Sequence, residues 1–252
     1  MLNPLEKYSY QERFIAFLDI IGFSDIIQRS KLPDPEISIE QIVSALDVPG
    51  PLEEGKLIIG NVGDISKSDH KLTQFSDSII ISTEFSKAGL LNLINHIEKI
   101  AFSFLKMGFL CRGGIAQGLL YHDKNNAFGP AMLEAYELEH DKAVYPRVIL
   151  SGEVEHFIHD MDAGEGTVIK RMVIKYQERY IVHVLRQFAF HLSIPGKAGE
   201  PEMLYLTIKR HLLAEIERLK CRVVDREKVV WFHEYFKETV HPDVLRITQI
   251  LF

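Results

Sequence analysis

The sequence has no long apolar run and almost no cysteine. No stretch reaches the roughly 18 apolar residues that a membrane span needs, and the first residues lack the apolar segment of a secretory signal. The two cysteines, Cys111 and Cys221, have a separation that fits neither a metal site nor a disulfide framework. These absences predict a protein of the reducing cytoplasm with no membrane segment.

An excess of positive charge is also missing. The 252 residues include 29 Lys and Arg against 35 Asp and Glu, giving a formal charge of −6, which argues against DNA or RNA as a partner. There is no phosphate loop with Gly-Lys-Ser/Thr, no nucleophile elbow and no dinucleotide fingerprint. The 11 histidines show no metal-ligand spacing. Any catalytic site must therefore be built from other residues.

A buried strand that ends in an acidic residue is present near the start. The apolar run from Phe14 to Leu18 has the length of a strand buried on both faces, and Asp19 follows it directly. Gly22 then allows a tight turn into a helix. A carboxylate at the end of a buried strand needs a cationic partner, unless Asp19 only caps that helix.

A second stretch repeats this pattern in reverse, because Asp77 precedes the β-branched run Ile79 to Ile81. Aspartates at opposite ends of adjacent antiparallel strands lie side by side and repel each other unless a cation sits between them. Mg²⁺ or Mn²⁺ held by two carboxylates, a backbone carbonyl and substrate phosphates is the usual solution. The pair favours a metal site, provided that the two strands are neighbours.

The order of elements predicts an α+β fold. Up to residue 150 the order is β-α-(α)-β-β-α-β-(β)-α-β, which is typical of a ferredoxin-like palm with helices on one face of the sheet. Residues 57–62 are a candidate strand, and Gly113 and Gly114 within a strand predict a close approach of ligand or backbone. We expect a catalytic domain over 1–150 and a C-terminal hairpin and helical extension over 151–252, packed on it.

Several stretches together resemble the class III nucleotidyl cyclases, and most closely the pyrimidine cyclases of bacterial Pycsar antiphage defence. They are Phe17-Leu-Asp-Ile-Ile-Gly-Phe23, Ser76-Asp-Ser-Ile-Ile-Ile81, Arg112-Gly-Gly-Ile-Ala-Gln-Gly118, Gly129-Pro-Ala-Met-Leu-Glu-Ala-Tyr-Glu-Leu-Glu139 and Tyr145-Pro-Arg-Val148. The likeness is strong over residues 13–150 and patchy beyond them.

The resemblance implies a site with two divalent ions, Mg²⁺ or Mn²⁺. Asp19 and Asp77 match the metal-binding aspartates, and the Ile20 carbonyl matches the backbone ligand. The ribose 3′-oxygen would attack the α-phosphorus, and pyrophosphate would leave. Arg147 falls where relatives place a basic residue on the terminal phosphates; the alternative is an ordinary surface arginine.

The positions that contact the base in purine cyclases are occupied here by Thr73 and Asn126. These residues match neither the adenine pair nor the guanine pair, which favours a pyrimidine, although both are also ordinary hairpin residues. Tyr136 is a candidate for stacking on the base, unless it belongs to the core.

One position departs from the family. The Asn and Arg that assist the transition state in purine cyclases are replaced here by Leu133 and Glu137. Either another cation, Arg112 or Lys142, takes that role, or the chain is catalytically inactive. We assign the catalytic role to Arg112.

The sequence therefore predicts a homodimeric cyclase that converts UTP, or less favourably CTP, to its cyclic 3′,5′-monophosphate. The resemblance further implies composite sites at the dimer interface and a separate effector that responds to the cyclic nucleotide in antiphage defence. Two alternatives stay open. One is a degenerate cyclase domain that binds a nucleotide and regulates a partner, and the other is a diguanylate cyclase or polymerase-like palm.

Overall fold

The structure, a computed structural model, describes residues 8–33, 35, 37–47, 69–161, 166–188 and 200–240. The chain forms two compact units, each assembled from three separate segments. Unit 1 contains Met1–Asp19, Gly50–Ile97 and Arg112–Val182, whereas unit 2 contains Ile20–Pro49, Glu98–Cys111 and His183–Phe252. The division expected from the sequence, a catalytic domain over 1–150 with an extension over 151–252, stays a prediction.

Unit 1 is organised around a mixed sheet. Its strands are β1 (Gln11–Ile20), β2 (Lys71–Phe75), β3 (Ser78–Glu84), β4 (Cys111–His122), β5 (Ala127–Phe128), β6 (Val148–Leu150), β7 (Val173–Tyr176) and β8 (Arg179–Val182). Their order is β2-β3-β1-β4-β6-β8-β7, and β5 pairs with β4. β4 and β6 run parallel, whereas β1 and β2 both lie antiparallel to β3. The predicted α+β fold is confirmed.

Four helices accompany this sheet in the described part of unit 1. They are the first half of α3 (Lys87–Lys106), α4 (Pro130–Glu137), α5 (Gly152–His159) and α6 (Gly166–Met172). A π-helical turn, Leu138–Lys142, continues α4 without a break. Such turns are rare and are often found at functional sites.

The two adjacent glycines of β4 allow close packing, as the sequence predicted. A Cβ atom on Gly113 would lie 2.6 Å from the carbonyl oxygen of Phe17 in β1. One on Gly114 would lie 2.5 Å from the carbonyl oxygen of Ala135 and in contact with Leu138. The approaching groups are therefore the neighbouring strand and α4.

Unit 2 is helical in the part that the structure describes. It contains α1 (Phe23–Ser30), α2 (Ile39–Leu46), the second half of α3, α7 (Glu200–Arg218) and α8 (Val223–Thr239). Phe188 packs edge-on against Phe102 and Phe236, and Tyr205 stacks on Phe236. No helix among the described residues has the length and apolar character to cross a bilayer.

Local details differ from the sequence-based expectation. The expected C-terminal helical extension ends, in the described residues, with the helix Val223–Thr239. The expected hairpin is formed by β7 and β8, and helix α6, which the sequence did not predict, directly precedes it. The candidate strand over 57–62 lies outside the described residues.

A buried polar chain crosses the sheet of unit 1. Arg13, 2% exposed, donates its Nε–H to Ser82 Oγ at 3.0 Å, and His122 Nδ1 lies 2.8 Å from that hydroxyl. The other ring nitrogen of His122 lies 3.1 Å from Thr73 Oγ1. The pKa of His122 is lowered to about 4, so the ring is neutral near pH 7 and accepts at one of these two contacts while it donates at the other.

We predict that His122 makes the fold acid-labile. Burial, and secondarily the charge of Arg13, lowers the His122 pKa from 6.5 to about 4. The unfolded chain therefore binds this proton at a higher pH than the folded chain, and stability falls as pH drops from 6.5 towards 4. Replacing His122 by Gln should remove this acid-induced loss in the free energy of unfolding, which is at most about 3 kcal/mol.

Urea denaturation of the wild type and His122→Gln at pH 7.5 and pH 4.5 measures the effect. The variant should lose less stability between the two values than the wild type does. Exposed His159→Gln is the matched control and should behave like the wild type. Equal pH dependence of His122→Gln and the wild type would contradict the neutral state of His122.

Candidate active site

The end of β1 positions the first acidic residue. Phe14 to Leu18 are buried, as is expected for the central strand of the sheet. Asp19 follows them and pairs with Ser78, the first residue of β3. The strand pairing thus brings Asp19 next to the turn that precedes β3.

That turn presents the second acidic residue. Phe75 pairs with Ser78, so only Ser76 and Asp77 connect β2 to β3. Ser76 has a φ of 56°, a left-handed conformation that side-chain-bearing residues seldom adopt outside such turns. Strained positions of this kind are common at functional sites. The structure therefore places Asp77 beside Asp19, as the antiparallel pattern predicted.

The proximity of the two carboxyl groups changes the acidity of Asp19. Its pKa is raised from 3.8 to about 7, first by burial, then by the negative charges of Asp77 and Glu139. A hydrogen bond between the two aspartate side chains acts in the same direction. Without a cation, the pair therefore retains a proton near neutral pH.

Arg112, at the start of β4, is the nearest cation. Its Nε lies 4.0 Å from Asp19 Oδ2 and 2.5 Å from Glu139 Oε1. Glu139 lies on the π-helical turn and is 2% exposed. The site thus contains three carboxylates and one guanidinium, an arrangement suited to holding further positive charge.

The available ligands fit a hard divalent cation whose remaining coordination positions would be filled by a substrate. Among the described residues, no group of three or more His, Cys, Asp or Glu side chains forms a closed metal site. Mg²⁺ is typically bound by one or two carboxylates together with substrate phosphates. Asp19 and Asp77 supply two such carboxylates, and their mutual repulsion favours a cation between them. Ile20, whose carbonyl was predicted as a ligand, is the last residue of β1.

Arg147 lies at the same end of the sheet. It immediately precedes β6, and its carbonyl accepts a hydrogen bond from the backbone N–H of Gly113 at 3.0 Å. Its guanidinium lies over the ring of Tyr145, 5.6 Å from the centroid. Burial, and secondarily the charge of Arg179, lowers its pKa, so this cation is held in a partly desolvated place.

The predicted base-contacting residues lie elsewhere. Thr73 pairs with Ile80, two positions along β3 from Ser78, and its hydroxyl is engaged by His122. Asn126 lies in the turn after β4, where its backbone N–H donates to Asp123 at 2.8 Å. The contacts that the structure gives Thr73 and Asn126 are therefore with His122 and Asp123, not with the two aspartates.

The face of α4 is open and largely apolar. Leu133 is 65% exposed and Tyr136 is 44% exposed, and their i,i+3 spacing puts them on one face of the helix. Tyr136 packs edge-on against Phe17 and stacks on His140.

Lys142, the other candidate for the catalytic cation, lies near Glu134, where its charge favours a lower pKa of that carboxyl group. The contact with Asp19 therefore favours Arg112 over Lys142.

Two residues of the site were missed from the sequence. Glu139 occurs in a stretch that carried the family resemblance, but only the π-helical turn reveals that it faces Arg112. His122 was among the histidines without ligand spacing, and its contact with Thr73 depends on the pairing of strands. No local sequence signal distinguishes either residue.

Comparisons with known proteins give little beyond the fold. No protein-family model matches the chain, and no curated protein matches it. Among solved structures, a bacterial light-regulated adenylyl cyclase matches with a TM-score of 0.41 and 16% sequence identity. The match covers 82% of this chain and 60% of that chain. This similarity is too low to support a conclusion about function, which must be inferred from the side chains.

We predict that Asp19→Asn stabilises the protein at pH 8 in the absence of divalent ions. The folded chain holds a proton on Asp19 up to about pH 7, whereas the unfolded chain releases it near 3.8. Stability is therefore lost as pH rises through this interval. Asparagine cannot ionise, so Asp19→Asn should avoid this loss in the free energy of unfolding. We expect the loss to be about 1–3 kcal/mol for this partly exposed group.

Chemical denaturation at pH 8 and pH 5 with a chelator tests this expectation. The gain from Asp19→Asn should be large at pH 8 and should shrink at pH 5. Asp160→Asn, at an exposed position, should give no gain at either pH. A destabilised Asp19→Asn protein at pH 8 would mean that the two aspartates do not repel each other.

Proposed function

We propose that the chain is a metal-dependent nucleotidyl cyclase that acts on a pyrimidine nucleoside triphosphate, with UTP favoured over CTP. The observation that carries the proposal is the pair of adjacent carboxylates, Asp19 and Asp77, at the edge of a palm-like sheet. The nearby cations Arg112 and Arg147 support the binding of a triphosphate there.

In the proposed reaction, the ribose 3′-oxygen forms a bond to the α-phosphorus, the bond to the β-phosphate bridging oxygen breaks, and pyrophosphate leaves. The 3′-hydroxyl proton is released to solvent. Bound Mg²⁺ or Mn²⁺ would acidify this hydroxyl and neutralise the phosphates. Asp19 and Asp77, with the Ile20 carbonyl, would hold the two ions of the site. Arg112 would stabilise the charge that develops on the phosphoryl oxygens.

The polar chain behind Thr73 supports a carbonyl-bearing base. In the proposed arrangement His122 Nε2–H, 3.1 Å away, donates to the Thr73 hydroxyl, which would leave the hydroxyl proton free to donate outward. A donor at this position suits the O4 carbonyl of uracil better than the amino group of cytosine. Asn126, with both donor and acceptor groups, would contact the remaining polar edge, and Tyr136 would stack on the ring.

A homodimer would join the two halves of this site. The Asn126 side chain contacts Asp123 rather than the aspartate pair, and in the proposed dimer the aspartates of one subunit would meet the base contacts of the other. Exposed apolar side chains support such an interface. Phe75, next to the Asp77 turn, is 82% exposed, and Leu133 is 65% exposed. A role in antiphage signalling through a separate effector rests on the sequence resemblance alone.

A degenerate nucleotide-binding module is the second candidate. Its support is Glu137, which replaces the transition-state arginine of purine cyclases, together with the ion pair between Glu139 and Arg112. In that case the site would bind a nucleotide and regulate a partner without turnover.

Incubation with each of the four ribonucleoside triphosphates and Mn²⁺ distinguishes the candidates. We predict that the wild type forms cyclic product and pyrophosphate, most rapidly from UTP, and that Asp77→Asn forms none. Asp160→Asn should retain full activity. Thermal stabilisation by nucleotides without product would support the module, whereas product from GTP alone would support a different palm enzyme.

Mixing two inactive variants tests the composite site. A heterodimer of Asp77→Asn and Asn126→Ala subunits has one intact site of two. An equimolar mixture that exchanges freely should therefore recover about a quarter of wild-type activity. A mixture of Asp77→Asn and Asp19→Asn subunits is the control. Both changes affect the metal-binding half of the site, so no heterodimer contains an intact site and no activity should be recovered. Equal recovery in both mixtures, or in neither, would contradict a site shared between subunits.

We expect Arg112→Gln to lower kcat for cyclisation by about 100-fold, since removing one electrostatic contact to a transition state typically has this effect. The change also leaves Glu139 buried without its partner. Arg112→Gln with Glu139→Gln should therefore recover the stability lost by the single variant but not its kcat. Exposed Arg171→Gln should change neither quantity. Normal turnover in the folded double variant would exclude a catalytic role for Arg112.

A further inference from the structure

We infer that unit 2 contains a second binding site, for a small organic anion with one negative charge and an apolar body. The site is a cavity of about 370 Å³ among the described residues of this unit, a volume within the usual range of small-molecule pockets. It lies entirely within unit 2 and includes none of the residues of the candidate active site.

One wall of this cavity is apolar. It is formed by side chains from the start of α1, the loop after α3 and helices α7 and α8, namely Ile21, Ile26, Phe109, Leu110, Leu219 and Val229. Ile26, Phe109, Leu110, Leu219 and Val229 are buried. Such a wall favours the aliphatic or aromatic part of a ligand, whose transfer from water is driven by the hydrophobic effect.

The opposite wall carries a rigid set of arginine–carboxylate pairs. Asp25 on α1 forms an ion pair with Arg218 at 2.8 Å and accepts a hydrogen bond from Arg222 at 2.7 Å. Arg218 also binds Glu215 through Nε and Nη2, at 2.8 and 2.5 Å. These contacts fix the guanidinium planes while leaving Arg218 Nη1 without a hydrogen-bond partner among the described residues. A preorganised donor of this kind suits a planar or tetrahedral oxyanion.

The charge of the lining favours an anion. Four cations, Arg29, Arg218, Arg222 and Lys106, face three carboxylates, Asp25, Glu215 and Asp225. The net excess is one positive charge. Lys106, at the end of α3, has no ion pair in the part of the chain that the structure describes; its ammonium lies 5.9 Å from the centroid of the Phe102 ring and would turn from it to meet a ligand.

A neighbouring histidine offers one more polar contact. Nδ1 of His211 on α7 is buried and has no hydrogen-bond partner among the residues that the structure describes. Burial of a polar atom without a partner is unfavourable. This atom has almost no accessible surface, so a ligand would reach it only after the His211 ring moves. The apolar wall, the surplus positive charge and Nη1 of Arg218 together point to a small amphiphilic anion such as an aryl or alkyl carboxylate or sulfonate.

A matched pair of dyes tests this site directly. Anilinonaphthalene sulfonate has an aromatic body with one sulfonate, and N-phenylnaphthylamine is its neutral counterpart. Fluorescence titration of the folded protein should show one saturable sulfonate site per chain. Binding of the neutral dye should be at least tenfold weaker. Several weak sites, or equal binding of the two dyes, would overturn the proposal.

Two variants locate the binding. Lys106→Gln should weaken binding of the sulfonate dye about fivefold, whereas exposed Lys124→Gln in unit 1 should leave it unchanged. Ala214→Phe places a ring at an exposed lining position of α7 and should abolish binding without lowering the melting temperature. Unchanged binding in both Lys106→Gln and Ala214→Phe would overturn the assignment to this cavity. Neither variant changes Asp19 or Asp77, so this outcome would leave the proposed cyclase activity unaffected.

Discussion

The repulsion between two neighbouring carboxylates is the constraint on which the candidate site depends. The register of β1 and β3 sets Asp19 opposite Ser78, and a two-residue turn leaves Asp77 no room to move away. The sheet pairing provides the free energy that holds the two charges together. Added positive charge would stabilise the ionised form of such a pair.

Arg112 and Glu139 refine this electrostatic balance. Arg112 offsets part of the negative charge on Asp19, while Glu139 keeps the guanidinium in place. Arg112 thus forms an ion pair with Glu139 while lying 4.0 Å from Asp19. At the opposite end of β4, His122 contacts the hydroxyls of Ser82 and Thr73. The charged groups and this polar cluster therefore occupy opposite ends of one strand.

Much of this arrangement could be predicted from the sequence, and the reasons for the failures are physical. The run from Phe14 to Asp19 and the run after Asp77 predicted two strands with acidic ends, whereas the pairing of these strands comes from the structure. The role of Glu139 depends on a π-helical turn, which hydrophobic periodicity cannot reveal. The contact of His122 with Thr73 joins residues 49 positions apart. Contacts between distant segments of this kind arise only when the sheet assembles.

The interleaving of the two units has a practical consequence. The chain passes from one unit to the other five times, and β1 and α3 each contribute residues to both. A fragment that ends at residue 150 would lose β8, the strand that pairs with β6 at Ile149. Neither unit corresponds to a contiguous stretch of gene. Truncation at any single position between residues 20 and 181 would therefore remove residues from both units.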